Sequence, residues 1–332
     1  MPVMRSARFG LLLLAGLAGP AHAESGEAAE YAPRVEIRAF ESLTLSDAQF
    51  LSGNGEGAKP VTLAGTLRIA RAGSERLPTV ILMHGSGGLG GNIEFWQRKL
   101  NAGGYSTFAI DAFSGRGLTS VNTDQALLGR TTMVLDIYRA LEVLARHPRV
   151  DPERVAIMGF SRGGQAALYA SLTRFDAAWN RSGIRPAAYL PVYPDCSIAF
   201  LGDTEVSPSP IRILAGGDDD YNPAAACMAY LDRLSAAGRK NVAMEVYHGG
   251  QHVFDNPIGP TTPIVAAGAQ TVRNCALREE AGGRIVNART GAPFAYTDAC
   301  VETGPHIGSD AGLRAKALKT TLDHLNAAFA AR

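Results

Sequence analysis

Residues 154–172 read RVAIMGFSRGGQAALYASL. An apolar run of strand length leads directly into small residues with helical spacing. Ser161 stands at the junction, with Gly159 two residues before it and Gly163 two residues after. A strand that turns at once into a helix forces the junction residue into an unfavourable backbone region and brings its neighbours into close contact, which glycine at the flanking positions relieves. Gly164 gives the helix further room to press on the sheet. A serine hydroxyl is a weak nucleophile that needs a base and an exposed position. The turn supplies the exposure and sets the backbone N–H of Arg162 at a helix N-terminus, where it can face an oxyanion. G-x-S-x-G alone is a common pattern; the strand before it and the helix after it give it meaning.

The rest of the chain supplies a matching frame. RVEIRAF and VTLAGTLRIA alternate with period two and read as strands, with a GNGEG loop between them. LPTVILMHG is a continuous apolar run, the pattern of a strand buried on both faces of a parallel sheet. Further strands are expected in YSTFAIDAF, AAYLPVYP, IRILAGG and VAMEVYHG. Helices are expected in IEFWQRKLNAGG, in AAACMAYLDRLSAAG, in the terminal AGLRAKALKTTLDHLNAAFAAR, and in one long segment over residues 122–148. In that segment Met133, Ile137, Leu141 and Leu144 make one apolar face, Asp124 sits in the first turn and Pro148 follows the end. The alternation predicts an α/β fold: a mostly parallel, doubly wound sheet with helices on both faces and an antiparallel N-terminal part. Residues 256–310 break the pattern and read as an irregular insertion rich in Gly, Pro, Thr and Asn.

The first 23 residues read as a signal peptide: Arg5 and Arg8, then the apolar FGLLLLAGLAG, then small residues at Ala21 and Ala23. Cleavage is expected after Ala23, leaving residues 24–332 as a single domain in the periplasm or outside the cell, without a membrane anchor. The formal charge of +1 offers no basic excess for nucleic acid or anionic membranes. Export makes the even set of four cysteines, Cys196, Cys227, Cys275 and Cys300, candidates for two disulfides. None forms a C-x-x-C pair, so no zinc site is expected, and no metal or organic cofactor is called for.

A serine nucleophile in such a fold is followed along the chain by an acid and then a histidine. Asp218, Asp219 and Asp220 end the IRILAGG strand, and one of them has to be buried against the histidine to fix its tautomer. His248 and His252 follow the next strand; His252, in the loop beyond, has the freer reach to the serine. The loop MHGSGGLGG would supply the second oxyanion donor, from Ser86 or Gly87. It lacks the lysine of a phosphate-binding loop, and a dinucleotide fingerprint fits poorly beside a serine, acid and histidine in this order.

With these residues assembled, the chain resembles the dienelactone hydrolase family of the α/β-hydrolase fold, on the strength of MHGSGG, IDAFSGRG, GFSRGG, LAGGDDDYNPAAAC and YHGGQHVFD. The family's acid lies in a G-x-x-D-x-x-x-P arrangement, which Gly216, Asp219 and Pro223 match, so the resemblance implies Asp219. Its histidine lies in a His-x-Phe-Asp run, which implies His252. Ser161 stands where the best-known members carry cysteine, which favours a general hydrolase of esters or lactones over a dienelactone enzyme. Arg116 in IDAFSGRG reads as a salt-bridge partner or as a contact to an acidic substrate. A serine peptidase or acyltransferase on the same residues, or a binding protein of this fold, are the alternatives; the oligomeric state is left open. The fold also places Cys196 and Cys227 on one edge of the sheet, implying that they pair, and leaves Cys275 and Cys300 to enclose the irregular segment.

Overall fold

A computed structural model of the chain describes Met1 and residues 34–332. The expected signal peptide lies outside the described residues. The body is built on an eight-stranded sheet in the order β1-β2-β4-β3-β5-β6-β8-β9. In chain order the elements begin with β1 (Val35–Thr44), α1 (Asp47–Leu51), β2 (Lys59–Arg68), β3 (Leu77–Met83), α2 (Gly91–Ala102), β4 (Ser106–Asp111), α3 (Thr132–Ala145) and β5 (Val150–Phe160). They continue with α4 (Arg162–Tyr169), α5 (Thr173–Trp179), β6 (Ala188–Val192), the two-residue β7 (Ile198–Ala199), β8 (Ile211–Gly216), α6 (Ala224–Ala236) and β9 (Val242–Tyr247). The last helix is α7 (Ala311–Ala330). β1, β2 and β4 pair antiparallel, and every pairing from β4 through β9 is parallel.

The central strands are apolar on both faces, and alternate residues feed two separate cores. Val155 and Ile157 of β5 pack with α3, α4 and α6 on one side of the sheet. Ala156, Met158 and Phe160 pack with Trp96 of α2 and Phe329 of α7 on the other. A strand between two helical layers has no wet face to mark with polar residues, which is why these runs look continuous in the sequence.

Two expectations are corrected. The helix foreseen over residues 122–148 is present only as α3; Gln125–Leu127 is a single 3-10 turn, capped by the Asp124 carboxylate accepting from the Ala126 N–H at 3.1 Å. Gly129 ends any continuity, because a Cβ there would fall 2.5 Å from the Leu45 carbonyl oxygen, so the chain crosses closely beneath β1's end as a loop. Residues 256–310 are also more ordered than their composition suggests. They hold β10 (Ile264–Val265), β11 (Gln270–Thr271), β12 (Leu277–Glu280), β13 (Arg284–Asn287), β14 (Glu302–Thr303) and β15 (His306–Ile307). β12 and β13 form a hairpin whose outer edge pairs with β7, tying the segment to the body. The sulfurs of Cys275 and Cys300 are bonded within this segment, and those of Cys196 and Cys227 join the chain after β6 to α6. Among the described residues no helix is long and apolar enough to cross a membrane.

The tightest point of the sheet is the β5–α4 turn. A Cβ on Gly159 would lie 2.0 Å from the Gly163 carbonyl oxygen, and one on Gly163 would lie 2.3 Å from the carbonyl oxygens of both Met83 and His84. Neither neighbour can yield, since both are backbone. Gly159→Ala is therefore expected to lose at least about 3 kcal/mol or fail to accumulate as soluble protein. Gly238→Ala, at a φ of +76° with nothing within 4 Å of its Cβ position, should lose only about 1–2 kcal/mol. Urea unfolding midpoints of the two variants measure the difference, and equal losses would refute the packing argument.

Candidate active site

Ser161 occupies φ 55°, ψ −116°, a conformation unfavourable for any residue with a side chain. Its N–H donates to the Val192 carbonyl at 2.9 Å, and its carbonyl accepts from the Gln165 N–H at 2.8 Å. The first bond anchors the turn to β6; the second opens α4. The hydroxyl is left pointing away from both, with Oγ 3.0 Å from Nε2 of His252.

His252 lies in the loop after β9, followed by Val253 at φ 60°. Its Nδ1 is 2.8 Å from Asp219 Oδ2. A carboxylate only accepts, so Nδ1 carries the proton and Nε2 is free to accept from the serine hydroxyl. Asp219 is itself fixed, because Oδ1 accepts from the backbone N–H groups of Tyr221 and Asn222 at 2.9 and 2.8 Å. The structure thus brings together Ser161, His252 and Asp219. Asp218 and His248 are exposed and belong to no such contact. Asp220 turns the other way and holds the insertion, pairing with Arg273 and His306.

Beside Ser161 and His252 opens a cavity of about 290 Å³, whose wall includes Ser86, Gly87, Tyr193 and Tyr221. Both residues expected to offer the second oxyanion N–H, Ser86 and Gly87, therefore face the same space as the serine. Ala266, Ala269 and Ile307 add an apolar side, so the insertion is part of the site wall. It is also joined to the histidine loop, through the Gly308 N–H donating to the His252 carbonyl at 3.0 Å. Arg116 is remote from this space. Its guanidinium forms a buried pair with Asp136 at 2.8 Å and donates to the carbonyls of Ala112 and Leu43.

The sequence of dienelactone hydrolases matches this chain over residues 65–277. The chain belongs to the dienelactone hydrolase family. It is a carboxylic ester hydrolase by that membership. Among solved structures, this hydrolase is similar to a dienelactone hydrolase-like promiscuous phosphotriesterase from metagenomic libraries, at 17% identity and a TM-score of 0.53, covering 88% of this chain and 98% of that one. It is also similar to a protein designated m3DLH, at 18% identity and a TM-score of 0.51, covering 89% and 98% of the two chains. At that identity the likeness speaks for the fold. No curated protein matches the sequence.

Several groups that shape the hydrolase site have no role legible in the sequence, although Asp255 is the acid of the His-x-Phe-Asp run. The ring of Tyr193, at φ 37°, meets the His252 ring edge-on at 4.8 Å, and Tyr221 flanks the same imidazole at 4.5 Å. Asp255, three residues after His252, is fully buried; it accepts from Trp96 Nε1 at 2.6 Å and from the Tyr193 hydroxyl at 2.7 Å. Burial pushes its carboxyl above the usual range, against the opposing pull of those two donors. A raised folded value means that the stabilisation is complete below the ordinary carboxylate pKa and is lost as pH rises through the raised value. Asp255→Asn keeps an acceptor for Trp96 without the charge, so its unfolding free energy should vary less than the parent's between about pH 4 and 7. Urea titrations across that range measure the slope; an unchanged slope would assign the pH dependence elsewhere.

Proposed function

We propose that the protein hydrolyses a carboxylic ester or lactone through an acyl-enzyme on Ser161, with His252 as general base and then general acid, and Asp219 as its orienting partner. The observation that carries this reading is the continuous chain Asp219–His252–Ser161, with links of 2.8 and 3.0 Å, ending at a cavity. The serine Oγ attacks the carbonyl carbon while its proton passes to His252 Nε2. Asp219 holds Nδ1–H and stabilises the imidazolium without taking the proton. The backbone N–H of Arg162, with one from Ser86 or Gly87, receives the negative charge on the carbonyl oxygen. Collapse of the tetrahedral intermediate expels the alkoxide, which takes the proton from His252. Water, deprotonated by the same histidine, attacks the acyl carbon; the bond to Ser161 Oγ breaks, Oγ takes the proton back from His252, and the acid leaves.

Export belongs to the same proposal. Two disulfides suit an oxidising compartment, and the leader at residues 1–23 has the composition of a signal peptide.

Ser161→Ala should lower turnover of p-nitrophenyl acetate by about 10⁴-fold or more and abolish covalent labelling by a fluorophosphonate probe. His252→Ala should lose a comparable factor, while His248→Ala, an exposed position, should stay within about twofold of the parent. Retained labelling in Ser161→Ala, or a larger loss in His248→Ala, would reject the assignment.

A further inference from the structure

The 290 Å³ cavity beside Ser161 has no Asp, Glu, Lys or Arg side chain on its wall. Apart from the serine and histidine, its polar side chains are those of Ser86, two tyrosines and the asparagines Asn92, Asn122 and Asn256. The rest of the wall is glycine or apolar, with Ile258 and Ile307 supplied by the insertion. Small-molecule sites commonly enclose about 300–1,000 Å³. This cavity is at the lower end, so an ester with a long chain has to continue past its mouth.

The mouth is apolar where solvent begins. Ile258 lines the wall, yet it is 78% exposed. Its side chain reaches across the start of α2: a Cβ on Gly91 would fall 2.8 Å from Ile258 Cδ1, and glycine there admits it. Ile264, 49% exposed, is paired with Ile307 in the β10–β15 ladder. Directly opposed residues of an antiparallel pair share a face, so Ile264 extends the cavity-lining side of Ile307 outward. Leu89, 46% exposed, stands between the lining glycines Gly88 and Gly90. Val265, opposite His306 on the other face of the ladder, is no part of this set. Single exposed apolar side chains are ordinary on a protein surface. Three of them, from three separate segments around one cavity, form an apolar rim continuous with the site.

The rim is preformed. The Gly308 N–H donates to the His252 carbonyl at 3.0 Å, the Ser309 N–H to the Pro260 carbonyl at 2.7 Å and the Asp310 N–H to the Phe254 carbonyl at 2.9 Å. These bonds join both ends of the insertion to each other and to the histidine loop. A chain laid on the rim therefore has little protein to order. We propose that the site takes esters with a linear alkyl chain longer than the cavity, whose distal methylenes lie across Ile258 and Ile264, with Leu89 at the edge. The chain belongs to either the acyl or the alcohol side of the ester. The kinetic part of the test rests on Ser161 being the nucleophile; the binding part does not, and uses Ser161→Ala.

The kinetic part measures kcat/KM below each ester's solubility limit in two series. p-Nitrophenyl acetate to octanoate lengthens the acyl group, and ethyl to octyl acetate lengthens the alcohol. Full removal of a methylene from water corresponds to about fourfold, and a half-open rim to about 1.5–2-fold, so one series should rise by at least about tenfold from two carbons to eight. Ile258→Ser should cut that rise about threefold or more, and Ile258→Leu should keep it. Ile264→Thr, which preserves the β-branch, should also cut it and serves if the serine variant folds poorly. The series that responds identifies the side of the ester. Two flat series, or a rise undiminished in both Ile258→Ser and Ile264→Thr, overturn the proposal. A rise that sets in only when the ester separates into droplets assigns the rim to a lipid surface and overturns it too. So does a dimer at assay concentration that Ile258→Ser dissociates, because a second copy then covers the rim. In the binding part, Ser161→Ala is titrated calorimetrically with 1-butanol and 1-octanol. Octanol should bind at least about fivefold more tightly, and adding Ile258→Ser should reduce the difference. Equal affinity for the two alcohols overturns the proposal. An octanol preference in a protein whose turnover does not need Ser161 supports the rim and rejects the nucleophile.

Discussion

The backbone contact between the β5–α4 turn and the end of β3 is the constraint on which the site depends. Gly163 sits against the carbonyls of Met83 and His84, and the Cβ position of Gly85 lies 3.2 Å from Cβ of Ser161. The serine and the glycine-rich loop after β3 are therefore placed by one contact. His84 locks that loop from behind. Its Nε2 accepts from the Ala112 N–H at 3.1 Å, and Nδ1 lies 2.7 Å from the Gly85 carbonyl, which only a protonated Nδ1 can satisfy. Burial pushes this imidazole below its ordinary range, so it stays neutral and keeps that arrangement of donor and acceptor. Any shift of α4 that relieved the strain at Ser161 would have to move the end of β3 as well.

The fold was legible in the sequence wherever backbone geometry left a residue-type mark. The turn glycines, the two-faced apolar strands and the order of Ser161, Asp219 and His252 are of that kind. Spacing did not select among Asp218, Asp219 and Asp220; the resemblance to a family favoured Asp219. What separates them physically is the direction each side chain takes from one turn: Asp219 caps the N–H groups of Tyr221 and Asn222, Asp218 faces solvent, and Asp220 reaches Arg273. The helical periodicity of residues 132–145 does not extend over residues 122–131, a segment whose role is tertiary. Gln125 there serves the Arg162 side chain and Ser86, not a helix face. Two-residue ladders such as β10 with β15 are too short to carry a period, so the order within residues 256–310 had no pattern to show.

Polar contacts hold that insertion to the site, while Val272, Cys275 and Leu277 join it to the main core. Thr271 Oγ1 donates to the Tyr221 carbonyl at 2.7 Å, and Gln270 accepts from the Gln125 N–H at 2.8 Å. Asp220 takes the His306 N–H at 2.7 Å, beside its ion pair with Arg273. The acid-bearing turn after β8 therefore works in two directions through adjacent residues: Asp219 inward to His252, Asp220 outward to the insertion. Cys275–Cys300 limits the conformations open to the segment when these contacts are broken.

Two buried arginines show how differently the same side chain is used. Arg116 lies among carbonyls and the Asp136 carboxylate, so its charge is balanced where it stands, and it ties the ends of β1 and β4 to α3. Arg162, next to the serine, donates only to neutral oxygens, those of Gln125 and Leu128, and feels a second arginine as well as the Asp47 carboxylate. A buried cation without a directly hydrogen-bonded counter-charge is costly. The Arg162 guanidinium instead ties the head of α4 to the segment before α3, through the oxygens of Gln125 and Leu128. Desolvation and Arg130 both draw this guanidinium below its ordinary value, and Tyr296 and the Asp47 carboxylate, the latter across space rather than by direct pairing, offset part of that cost.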